Sequence, residues 1–187
     1  ISGGDVLREK YVTRLLPQAL VYNTYGPSET TVCASYYRCN GGYALDDGTY
    51  PIGKPVLGVE ISIRDESGSV VTDGKIGEIC ICGNGVSHGY VGNKPEQENF
   101  SETGSERRMY RSGDLGYVLP DGNLAFLRRK DKQVMILGKR VECDEVENLL
   151  NTCSEVEKGV VCAYTDPNQL SYLVAYIVPR DEDTFNY

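Results

Sequence analysis

Between Tyr36 and about Phe126 the apolar residues alternate or fall in short runs, and glycine-bearing turns divide them. "GVEISIRD", "GSVV", "GEICICG" and "NLAFLRR" are separated by "ESG", "TDGKIG" and "PDG". Period-two alternation between short turns predicts antiparallel strands in a barrel-like or layered unit. This pattern sets the fold class as β-rich, with helix confined to the flanks.

The flanks read differently. From Asp5 to Gln18, Val6, Leu7, Tyr11, Val12, Leu15 and Leu16 are spaced as the apolar face of an amphipathic helix ended by Pro17. "ALVYNTY" then predicts a short buried strand. "RRKDKQ", residues 128 to 133, is charged with little to bury, and it predicts a joint. Beyond it "QVMILGKRV" reads as strand and turn. "CDEVENLLNTC" reads as a helix with acidic residues at its start and Val146, Leu149 and Leu150 on one face. "KGVVCAYT" and "SYLVAYIVP" read as two more strands. The expected division is 1–130 and 131–187, the second part being the start of a small α+β domain. The fold class is mixed α/β, dominated by strands.

Charge and cysteine usage narrow the function. A net charge of −8 over 187 residues argues against a nucleic-acid partner, which calls for a basic face. No apolar run approaches the ~20 residues of a membrane-spanning helix, so no membrane partner is expected. The seven cysteines are odd in number and form no CxxC pair. In "EICIC", alternation puts Cys80 and Cys82 on one strand face and Ile79 and Ile81 on the other. Small half-buried thiols of this kind point to a reducing, cytoplasmic setting. The lone His88 has no companion ligands, which argues against a zinc site or a Cys–His nucleophile pair.

"YNTYGPSETT", residues 22 to 31, crowds a Tyr-Gly-Pro turn, several hydroxyls and a carboxylate into one short stretch. Taken alone it is a surface turn, broken by Gly26-Pro27, with Ser28 capping a short helical piece. "GNGVSHG" places Gly83, Gly85 and Gly89 after a strand, but its GxGxxxG spacing is wrong for a dinucleotide loop, and structural turns are expected there.

Four segments in order change the weight of these fragments: "SGGD" (2–5), "NTYGPSETT" (23–31), "YRSGDL" (110–115) and "RRKDKQVMILGKRVE" (128–142), with "GEICICGNGVSHGY" (77–90) between them. Together they resemble the later motifs of the adenylate-forming enzymes, and within that superfamily the amino-acid-activating adenylation domains of nonribosomal peptide synthetases. The resemblance covers nearly the whole chain. It implies the rear of a large domain followed by the start of a small C-terminal subdomain. It also implies that the family's phosphate loop lies ahead of Ile1 and its catalytic lysine beyond Tyr187, so that this stretch alone would be inactive.

By that resemblance, Tyr25 stacks on adenine, Asn23 approaches the adenine amino group, and the Gly4 backbone passes close to the nucleotide. Ser28 meets the α-phosphate or the substrate carboxylate, and Glu29 is the magnesium ligand. Asp114 holds the ribose hydroxyls, while Arg129 and Phe126 lie against the nucleotide. The side-chain pocket is lined by Ile1, Gly3, Thr24, Val32 and Cys33; none is charged, which favours a bulky neutral amino acid. Asp131 is the hinge, and Gly138 flanks a phosphopantetheine channel. The implied reaction uses ATP and Mg2+, forms an aminoacyl-AMP, and passes the acyl group to the phosphopantetheine thiol of a peptidyl carrier protein. Three positions depart from the family pattern. Arg128 replaces a glycine, Met135 replaces a lysine, and His88 stands in a loop read as structural. An acyl-CoA ligase of the same superfamily and a non-catalytic nucleotide-binding remnant remain open alternatives.

Overall fold

A computed structural model describes residues 6–15, 18–92, 95–103, 107–131, 133–136, 139–167 and 170–181. The chain divides into two compact units, Ile1–Lys130 and Asp131–Tyr187.

The first unit opens with a helix much shorter than its apolar spacing predicts: α1 is only Glu9–Val12. The reason lies in the residues before it. Arg8 is extended and bridges Thr49, and the Tyr50 amide donates to the Leu7 carbonyl at 3.0 Å, so this stretch is held as strand. Leu7 then joins Val21, Tyr37, Cys39 and Tyr50 in a small core. Leu16 and Pro17, assigned to the end of the expected helix, lie outside the described residues.

Two sheets follow. Strands β1 (Tyr22–Tyr25), β2 (Ser35–Arg38) and β3 (Lys54–Pro55) make an antiparallel three-stranded sheet in that order. The second sheet contains β4 (Val59–Arg64), β5 (Gly77–Gly83), β6 (Phe100–Glu102), β7 (Arg108–Val118) and β8 (Leu124–Arg129). Its order is β4-β5-β7-β6, with β8 also on β7. Among the described residues this sheet is open, so of the barrel-like and layered arrangements that the strand pattern allowed it is not a closed barrel. "GSVV" is not a full strand: only Val70 bridges back to Arg64, after a turn in which the Asp65 carboxylate accepts from Ser67 and Ser69.

The alternation of "EICIC" is real. Ile79 and Ile81 enter the main core with Ala34, Ile52, Ile63 and Leu124, and Cys80 is buried on the opposite face. Burial pushes the Cys80 thiol up to about 11, with the nearby Glu78 carboxylate adding to it. All seven cysteines are free thiols. The two sheets are tied together where Leu124 donates to the Gly53 carbonyl at 2.8 Å and accepts from the Ile52 amide at 2.8 Å.

The second unit pairs β9 (Gln133–Ile136) with β10 (Lys139–Glu142), continues through α2 (Cys143–Leu150), and pairs β11 (Val156–Thr165) with β12 (Ser171–Pro179). Asp144 and Glu145 sit in the first turn of α2, favourable for the helix dipole. Its packed face matches expectation only in part: Leu150 is half-buried close to Gly159 of β11, whereas Val146 and Leu149 are exposed and Cys143 is buried. Glu147 accepts from the Val161 amide at 2.9 Å, and Asn151 just past the helix accepts from Gly159 at 2.7 Å, so polar groups supply part of the docking on β11. Among the described residues no helix is long and apolar enough to cross a membrane.

Candidate functional site

Strand β1 delivers Tyr25 to the edge of the main core, and the chain then turns sharply. A Cβ on Gly26 would come within 2.7 Å of the Ala34 amide nitrogen and 2.8 Å of the Val32 carbonyl oxygen, so only glycine lets the turn fold back this closely. A 3₁₀ turn, Ser28–Thr30, follows. Ser28 is not its cap. The capping position is Pro27, and Ser28 stands inside the turn with an exposed side chain.

Strand β7 meets this turn from the other side of the sequence. The Tyr25 hydroxyl donates to Asp114 Oδ2 at 2.6 Å. Arg129 lies opposite Asp114 in the β7–β8 register, and its guanidinium donates to Asp114 Oδ1 at 2.9 Å and to the Ser112 carbonyl at 2.7 Å. Asp114 is buried, yet both carboxylate oxygens meet donors, one of them cationic, which stabilises the charge. Burial and then the facing carboxylate push the Tyr25 phenol well above its ordinary value, so it stays a donor. Phe126 and Tyr25 both pack against the main core. Asn23 is buried, and its side-chain amide donates to the carbonyls of Tyr50 (3.3 Å) and Pro51 (2.8 Å), leaving its oxygen as the atom not used in those bonds.

Glu29 is buried in the 3₁₀ turn, and the Tyr90 hydroxyl donates to its Oε1 at 2.5 Å. The loop carrying Tyr90 is fastened to the same turn. Ser87 N–H donates to the Glu29 carbonyl at 2.9 Å, and the Thr31 hydroxyl donates to the Gly85 carbonyl at 2.7 Å. Gln97 holds the loop from outside by accepting from the Tyr90 amide at 2.9 Å. Of the glycines of "GNGVSHG", Gly83 ends β5 and Gly85 lies in the turn that follows, and the loop beyond carries a tyrosine onto Glu29.

Past the turn the backbone is strained. Thr31 and Val32 are consecutive non-glycine residues with φ of 61° and 69°, and Cys33 N–H donates to the Thr31 carbonyl at 2.8 Å across Val32. A β-branched residue in that region carries a cost of about 1–3 kcal/mol. Val32 and Cys33 are exposed and Thr24 is half-buried. Ile1, Gly3 and Gly4 lie outside the described residues, as does Gly138. Asp131 is exposed at the start of the second unit, where its Oδ1 accepts from the Gln133 amide at 3.1 Å.

The fold thus brings together Tyr25, Asp114 and Arg129 from three separate stretches, with Phe126 against the same core as Tyr25 and Glu29 on the turn that follows Tyr25. Sequence reading missed Tyr90 and Glu78. Tyr90 gave no local signal, because its partner is 61 positions away. Glu78 did: in "GEICIC" it shares a strand face with Cys80, so a carboxylate was aimed where thiols are buried.

The model of the family "AMP-binding enzyme" matches residues 1–91. Bacitracin synthase 2 of Bacillus licheniformis is 41% identical over 178 residues, covering 95% of this chain and 7% of that protein. The solved structure of PA1221, described as an NRPS protein containing adenylation and PCP domains, superposes with a TM-score of 0.79 at 27% identity, over 97% of this chain and 38% of that one. The Vibrio cholerae adenylation domain AlmE, solved in complex with glycyl-adenosine-5'-phosphate, superposes with a TM-score of 0.80 at 26% identity, over 96% of this chain and 36% of that one.

Proposed function

This chain belongs to the AMP-binding enzyme family, among the adenylation domains of nonribosomal peptide synthetases, and from that membership we propose that it supplies part of the nucleotide site of an amino-acid-activating ligase. It spans 7% of bacitracin synthase 2 and 38% of PA1221, so the activity proposed is that of the whole protein. A substrate carboxylate attacks the α-phosphorus of ATP, giving aminoacyl-AMP and pyrophosphate. The acyl group then passes to the phosphopantetheine thiol of a peptidyl carrier protein. PA1221 carries such a carrier domain beside its adenylation domain, which supports that partner.

The observation that carries the proposal is the Tyr25–Asp114–Arg129 cluster. A carboxylate whose orientation is set by a phenol and a guanidinium is an acceptor suited to a vicinal diol, the pairing a ribose offers. The Tyr25 ring gives adenine a flat partner. The Asn23 oxygen can accept from the exocyclic amine while its NH2 holds the strand. Arg129 adds positive charge beside the nucleotide, and Ser28, exposed on its turn, presents a hydroxyl to the reacting carboxylate or α-phosphate. These groups position the nucleotide and relieve charge at phosphorus, with no covalent protein intermediate.

Magnesium would be held by Glu29. Among the described residues no three acidic, histidine or cysteine side chains converge, which fits an ion that takes one or two carboxylates and completes its shell with phosphate and water. When bound it would neutralise phosphate charge as pyrophosphate departs.

The two compact units correspond, in this proposal, to the rear of the large domain and the front of the small one, with Asp131 as pivot. The free thiols favour a reducing, cytoplasmic setting. Amino-acid-dependent exchange of labelled pyrophosphate into ATP by the full-length protein tests the reading. Exchange with a bulky neutral amino acid is expected. Exchange only with a fatty or aryl acid would give the acyl-CoA ligase alternative, and no exchange with any acid would leave a nucleotide-binding remnant.

A further inference from the structure

Strand β7 is interrupted where it matters most. On one edge β6 pairs with it as far as Tyr110, and pairing with β8 starts only at Asp114. On the other edge, the β5 register jumps from Cys80–Arg111 to Glu78–Leu115, so Ser112, Gly113 and Asp114 together face Ile79 alone. This is a bulge, the device that re-aims a side chain and leaves backbone groups without ladder partners. Gly113 turns through a φ of 73°.

Side chains replace the missing ladder. Ser112 donates its hydroxyl to the Ile79 carbonyl at 2.7 Å and accepts from the Asp114 amide at 3.0 Å. Glu78, 6% exposed, does the rest. Its Oε1 accepts from the Gly113 amide at 3.2 Å, and its Oε2 takes the Arg111 guanidinium at 3.1 and 2.5 Å. The ammonium of Lys130 lies 3.7 Å from the same Oε2, and the Lys130 amide donates to the Gly113 carbonyl at 2.7 Å. One buried carboxylate therefore grips the residues before Asp114 and the residue after Arg129.

We propose that Glu78 is a positioning residue for nucleotide recognition: by bonding Gly113 and Arg111 it holds the bulge that aims Asp114 at the ribose. The inference rests on Asp114 binding the ribose diol as proposed above. Glu78 touches neither nucleotide nor substrate. It acts by replacing the strand partner that the bulge lacks, and its charge is matched by Arg111 and Lys130, so a neutral isostere breaks the grip while keeping the volume.

The test compares ATP with 2′,3′-dideoxy-ATP in pyrophosphate exchange by the full-length protein. The ratio of the two kcat/KM values cancels any loss of folded enzyme. Glu78→Gln should cut the preference for ATP by about tenfold, in the direction of Asp114→Ala, and leave the amino-acid KM unchanged. Should Glu78→Gln fail to fold, Arg111→Lys, which keeps the charge but loses the fork, should lower the same ratio. An unchanged ratio in these variants, with Asp114→Ala lowering it, overturns the role of Glu78. An unchanged ratio in Asp114→Ala removes the ribose reading itself and this inference with it.

Discussion

The Tyr25 hydroxyl donates to Asp114 Oδ2 at 2.6 Å across 89 positions of sequence. Neither residue is fixed by its own segment. Tyr25 ends a four-residue strand, and Asp114 lies in a bulge, yet the pair joins the two motifs richest in nucleotide-site candidates.

Removing either member should be felt at the nucleotide. Asp114→Ala should raise the ATP KM in pyrophosphate exchange, with loss of about 1.5–3 kcal/mol for a charge-assisted contact. Tyr25→Phe keeps the ring and loses only the hydroxyl, so about 1 kcal/mol is expected. Equal ATP dependence in Asp114→Ala and wild type would refute the ribose assignment.

Tyr90 should report on Glu29. Because its hydroxyl bonds Glu29 Oε1, Tyr90→Phe should shift the magnesium midpoint of exchange upward by a few-fold, and Glu29→Gln by more. Direct titration with Mn2+ followed by electron paramagnetic resonance gives a readout apart from turnover. Wild-type binding by Glu29→Gln would exclude that residue as the ligand.

The strain at Val32 can be measured. Since Val32 is exposed and has φ of 69°, Val32→Gly should remove backbone cost at little loss of packing, stabilising the fold by about 1 kcal/mol. Denaturant unfolding checks it. Destabilisation would mean the valine side chain is more deeply engaged than its exposure indicates.

Cys80 makes stability fall in alkali. The native thiol holds its proton to about 11, above its unfolded value, so its contribution is complete below pH 9 and is lost as pH rises toward 11. The loss attributable to this group is about 2–3 kcal/mol across that window. Unfolding curves at pH 9 and 11 should therefore converge in Cys80→Ala relative to wild type; parallel losses would contradict the assignment.

The proposed pivot is tested by Asp131→Pro. Fixing φ there and removing the carboxylate that accepts from Gln133 should spare adenylation and block transfer to the carrier protein. Loss of both half-reactions, or of neither, would count against a hinge at this position.

Sequence alone carried the strand pattern of "GVEISIRD" and "GEICICG", because side-chain alternation is a local property of the extended backbone. It carried the acidic start of α2 for the same reason: the pattern is read within a few residues. It overextended α1, because a bridge from Arg8 to Thr49 competes with helix and is invisible to helical spacing. It misjudged part of the packed face of α2, where Glu147 docks through its carboxylate. What only the tertiary structure decided is how the motifs meet. Tyr25 reaching Asp114, Tyr90 reaching Glu29 and Glu78 bracing a bulge in β7 depend on strand register and loop path. These are set by pairing between distant segments, which no local pattern encodes.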